Sequence, residues 1–119
     1  MARERFPLLR VWPEFCSSGI WAPPSPVSQQ VGPMVDYDLL DLPPELAARF
    51  QAWQDKFDEN VNPPDSPPDE WWTEFEREQV KLATALQAAV GGRVQYELGG
   101  RVWTVGQDGP DADFRYSDG

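Results

Sequence analysis

The sequence predicts an α+β fold: a small antiparallel sheet, made of an N-terminal strand and a C-terminal hairpin, packed by two helices. Three observations carry this. Apolar residues recur at helical spacing over two central stretches. A Gly-Gly pair splits two alternating runs near the C-terminus, and a short alternating run opens the chain. At 119 residues the chain has the length of one domain and buries roughly two-thirds of the surface its unfolded form exposes. We read a single α+β domain over residues 1–106, with a long Pro-rich loop at 13–42, and an acidic mobile tail over 107–119.

The elements follow in order. Residues 8–12 alternate and stop at Pro13, which suits a short strand with Leu8, Arg10 and Trp12 on one face and Leu9 and Val11 on the other. Pro23, Pro24, Pro26 and Pro33 make the next stretch irregular, because proline neither donates to a ladder nor sits inside a helix. Ile20 and Trp21 are expected to anchor that loop to the core. A first helix is expected over 43–59, with Asp41 as N-cap and Pro43, Pro44 and Glu45 in its first turn. Its stripe is Leu46, Phe50, Trp53 and Phe57. A second helix is expected over 67–90, opened by a capping box at Ser66 and stopped by Gly91-Gly92. Trp72, Phe75, Leu82, Leu86 and Ala89 lie on one face of it, with Gln79 as the polar member of the series. Gly99-Gly100 then turns a hairpin in which Tyr96 faces Trp103 and Val94 faces Val105. Gln95, Glu97, Val102 and Thr104 take the opposite face.

Composition excludes much chemistry. There is no histidine, which removes the commonest general base and the commonest metal ligand. A lone cysteine, Cys16, permits no internal disulfide and, without histidine, no usual zinc site. Cys16 reads as a half-buried small residue near a strand end. Neither a Walker loop nor GxGxxG occurs. We therefore expect no enzyme, no catalytic residues, no metal and no cofactor. The N-terminus lacks the pattern of a signal peptide and no apolar run reaches the length of a membrane span, so the expected compartment is the cytoplasm.

The net charge of −10 is concentrated. Over residues 36–80 thirteen carboxylates stand against Arg49, Lys56 and Arg77, which accounts for the whole excess. Such a segment repels bare nucleic acid and anionic membrane and attracts a basic protein. The candidate partner-binding residues are Asp36, Asp38, Asp55, Asp58, Glu59, Asp69, Glu70, Trp71 and Glu74. Asp55, Asp58 and Glu59 near a helix C-terminus oppose its dipole, a placement against local stability that points to function. Trp72 fits the helix stripe, which displaces Trp71 by about 100° to the edge of the core. There it serves either as an interface anchor or as a core-edge residue.

The run Leu9-Arg-Val-Trp-Pro-Glu-Phe-Cys-Ser-Ser-Gly-Ile-Trp21 resembles the VWPxY…LW opening of small acidic bacterial immunity-type proteins from toxin–immunity systems. Leu42-Pro-Pro-Glu-Leu46, Phe50, Trp53, Phe57-Asp58 and Val94-Gln-Tyr96 continue the same order, so the resemblance spans about residues 8–98. Phe15-Cys16 departs from it, where an aromatic followed by glycine is expected. The resemblance implies a protein that binds and neutralises a cognate toxin, as one copy in a heterodimer. With the acidic band, it suggests that carboxylates cover a basic active-site cleft. The alternative is a phage-type inhibitor or nucleic-acid mimic directed at a host DNA- or RNA-binding protein.

Overall fold

A computed structural model describes residues 6–30 and 32–106. The expected tail over 107–119 lies outside the described residues. Strand β1 (Leu8–Val11) is followed by β2 (Ile20–Trp21), a short helix α1 (Tyr37–Leu40), the long helices α2 (Pro44–Asn60) and α3 (Asp69–Val90), and the hairpin β3 (Arg93–Leu98) and β4 (Arg101–Thr104). The α+β class, the two helices and the hairpin are as expected. Among the described residues the sheet has four strands, in the order β2-β1-β3-β4. Its outer pairs are antiparallel, while β1 runs parallel to β3, with Leu9 beside Val94 and Val11 beside Tyr96. A parallel pair needs a long crossover, and everything from β2 to α3 supplies it. The loop expected at 13–42 thus contributes an edge strand and one helical turn of its own.

The hairpin register holds: Tyr96 pairs with Trp103, and Val105 donates its N–H to the carbonyl of Val94. Leu9, Val11, Val94, Tyr96 and Trp103 form one apolar core with Phe75, Leu82, Ala83 and Leu86 of α3 and Leu46, Phe50, Trp53 and Phe57 of α2. Helix α3 lies on β1 and β3, and α2 packs on α3. Within α3, Val90 takes the buried last-turn position expected of Ala89, which is exposed. Gln79, buried among apolar side chains, donates through Nε2 to the carbonyls of Val11 and Glu97, tying the helix to the ends of both central strands.

The opposite face of the sheet is also closed. Arg10 sits beside Gln95, and Gln95 beside Thr104; all three are buried, as is Val102. The Arg10 guanidinium donates to the carbonyls of Ser28 (2.7 Å) and Pro26 (3.3 Å) and to Oε1 of Gln95 (2.9 Å). Gln95 Nε2 reaches the Pro26 carbonyl at 3.0 Å. Proline-rich backbone has few donors of its own and many free carbonyls, so a five-donor guanidinium suits it as a clasp.

Both expected helix caps are corrected. Asp41 is not the N-cap of α2; it ends α1 in the left-handed region at φ 54°. Pro43 opens α2, its carbonyl accepting from Leu46 and Ala47, with no side-chain cap. Likewise Ser66 caps nothing: Pro68 opens α3, and Ser66 Oγ accepts from Trp72 Nε1 at 3.0 Å. In each case a Pro-Pro pair delays the start, because a residue preceding proline is driven out of the helical region.

Candidate functional site

The site is built where α2 meets the loop after β1. Trp12 donates to the carbonyl of Gly19 at 3.0 Å, closing residues 12–19 into a tight excursion. Two α2 side chains one turn apart hold it. Gln54, fully buried, receives Glu14 N–H (3.4 Å) and Ser17 Oγ–H (3.3 Å) on Oε1 and donates through Nε2 to the Glu14 carbonyl and to Asp58. Asp58 Oδ1 accepts the Cys16 N–H at 3.1 Å. This turns the Cys16 side chain outward with φ at 56°, so Cys16 is an exposed thiol rather than the half-buried residue expected. Phe15 beside it packs on Phe57 at 4.8 Å yet stays 42% exposed.

The second wall comes from the end of the Pro-rich loop. Val35 donates to Ile20 at 2.9 Å and Ala22 to Pro33 at 3.0 Å, which lays residues 33–35 along β2. Ser18 Oγ donates to the Val35 carbonyl at 2.7 Å, and Tyr37 OH to the Ser18 carbonyl at 2.8 Å. Burial, and then the negative charge of Asp55, push the Tyr37 hydroxyl up to about 12, so it is a neutral donor at ordinary pH. Asp55 itself accepts from Gln51 at 2.9 Å.

Between these walls lies an open groove of about 510 Å³, lined among others by Asp36, Asp38 and Asp58, with Met34, Tyr37, Gln51 and Cys16. Among the described residues, no lysine or arginine lines it. Exposed apolar side chains accompany the acids: Met34 is 44% and Leu39, on α1, 46% exposed. Carboxylates around exposed apolar groups suit a protein partner better than a polyanion, since apolar contact supplies the cohesion that charge alone lacks.

The nine candidate residues thus separate. Asp36, Asp38 and Asp58 share the groove, and Asp55 acts on Tyr37 at its wall. Glu59 is exposed on the last turn of α2, and Asp69 and Glu70 on the first turn of α3. Trp71 is half-buried and stacks on Phe75 at 4.8 Å, edge-on to Trp72. Glu74 pairs with Arg77 and lies in a different groove beside Arg49, Lys56, Lys81 and Glu78, where Arg49 pairs with Glu78 at 3.2 Å. Met34 and Tyr37, which line the groove, were not among the residues expected at the site. An irregular loop or a single helical turn is too short a run to show periodicity, and the exposure of its residues is decided by what the segment folds against.

Among the described residues no group of Cys, Asp and Glu is arranged to hold a metal ion, and no helix is long and apolar enough to cross a membrane. No curated protein sequence matches the chain. The model of the Serratia CdiI immunity protein-like family matches residues 7–98, a span that contains the groove, both long helices and three of the four strands. On that match over most of its length, the chain belongs to the Serratia CdiI immunity protein-like family.

Proposed function

We propose that this protein binds and neutralises a cognate bacterial toxin, without catalysis and without a cofactor, by laying its acidic groove against a basic cleft of that toxin. Family membership supports the immunity role. The observation that carries the mechanism is the groove itself, which gathers Asp36, Asp38 and Asp58 with no lysine or arginine of the described residues in its lining. Charge of one sign in a concave site steers an oppositely charged partner and rejects others. Glu59, Asp69, Glu70 and Trp71 form the outer parts of the docking surface, and Glu74 joins them on the far side of α3. One copy pairs with one toxin in the cytoplasm.

The test is co-purification with the product of the adjacent gene, followed by stopped-flow association. The on-rate should fall roughly tenfold as salt rises from 50 to 500 mM, because exposed charges are screened within about 10 Å or less. A D36N/D38N variant should associate more slowly, with a nearly unchanged melting temperature, since exposed charges contribute little to stability. An on-rate indifferent to both salt and these substitutions refutes the acidic-groove mechanism.

A further inference from the structure

A second groove, of about 340 Å³, lies on the other side of the Glu14–Ser17 loop, between α3 and the tip of the β3–β4 hairpin. Its walls include the rings of Trp12, Phe57 and Trp72, and three carboxylates, Glu14, Glu76 and Glu97, line it; no lysine or arginine among the described residues does. The Trp72 ring is held by its hydrogen bond to Ser66, and that of Phe57 by edge contact with Trp72 at 6.5 Å. Glu76 is the anomaly. It is half-buried, burial pushes its carboxyl up, and among the described residues it has neither an ion pair nor a hydrogen bond. Its neighbours on the same helix differ: Glu74 and Glu78 are each paired with an arginine. A partly desolvated carboxylate with no partner among the described residues weakens the free fold, so its presence beside aromatic faces calls for a cation from outside.

We infer that this groove receives an arginine side chain of the toxin, its guanidinium lying against the aromatic walls and paired with Glu76. Arginine rather than lysine fits the chemistry. A planar guanidinium stacks on indole faces and is less strongly hydrated than an ammonium, so it enters a half-apolar slot at lower cost. This rests on the immunity reading but concerns a different surface from the groove of Asp36, Asp38 and Asp58.

The purified complex tests it. E76Q should raise the dissociation rate of the toxin complex by roughly tenfold or more, while the melting temperature of the free protein stays the same or rises. Alanine substitution of the toxin's exposed arginines, one at a time, should reveal one whose loss has no further effect in the E76Q background. Affinity unchanged by E76Q, with D36N/D38N still weakening the complex, overturns the second groove and leaves the acidic groove standing. A coupled lysine in place of an arginine overturns the assigned side chain. Self-association of the free protein that E76Q abolishes assigns the groove to a second copy and overturns the inference. Failure of the wild type to bind the neighbouring toxin overturns both.

Discussion

Replacing Gln79 by leucine removes two hydrogen bonds at once from the middle of the molecule. Its Nε2 donates at 3.0 Å to the Val11 carbonyl and at 3.0 Å to the Glu97 carbonyl, and the side chain is only 2% exposed. Leucine matches the volume but leaves both carbonyls without this donor. Each such loss costs about 1–3 kcal/mol, and the apolar gain of leucine recovers part, so the net is about 2–4 kcal/mol. Q79E sharpens the test. An ionised carboxylate cannot donate to either carbonyl, so the fold selects the protonated acid and raises its pKa above the unfolded value of about 4.3. With the folded pKa raised, the native state binds more protons. The stability of Q79E relative to wild type is therefore greatest at low pH and is lost as pH rises through the folded pKa. Urea denaturation at pH 5 and pH 8 reads both effects. Q79L should show the same deficit at each pH, and Q79E a larger deficit at pH 8 than at pH 5. A Q79L deficit below about 0.5 kcal/mol, or a Q79E deficit that does not change with pH, would falsify the role given to this amide.

Three further outcomes follow from the packing. Wild type should lose stability between pH 10 and pH 12, because the Tyr37 hydroxyl ionises near 10 when unfolded and near 12 when folded; Y37F, followed by the same denaturation series, should lack that component. Gly32 has φ 78°, and a Cβ there would stand 2.0 Å from the Ala22 carbonyl oxygen, so G32A should cost about 2–4 kcal/mol. G100A, where nothing lies within 4 Å, should cost only the backbone strain of about 1–2 kcal/mol, and equal melting temperatures for the two would contradict the close approach. Trp71→Ala should lower the stability of the free protein by about 1–2 kcal/mol through its lost stacking on Phe75, and an unchanged melt would show that this ring belongs to the docking surface alone.

The elements legible in the sequence are those whose evidence is local. The stripe of Leu46, Phe50, Trp53 and Phe57 is a consequence of 3.6-residue periodicity, and all four are buried. Gly99-Gly100 sets the hairpin register because a two-residue turn permits only one pairing. The acidic bias and the absence of histidine are plain counts, legible from composition alone. Tertiary structure decided the rest. Arg10, Gln95 and Thr104 look like a solvent face in an alternating pattern; they are buried because a Pro-rich loop, distant along the chain, folds over them. Asp36 and Asp58 are 22 residues apart and meet at one groove only because Asp58 and Gln54 capture the loop after β1, while Ser18 captures the segment before α1. Glu74 and Glu76 share one helix turn, yet one faces Arg77 and the other an aromatic slot. Periodicity records which way a side chain points from its own element; which other element it meets depends on long-range closure, and that is where partners, burial and charge pairing are determined.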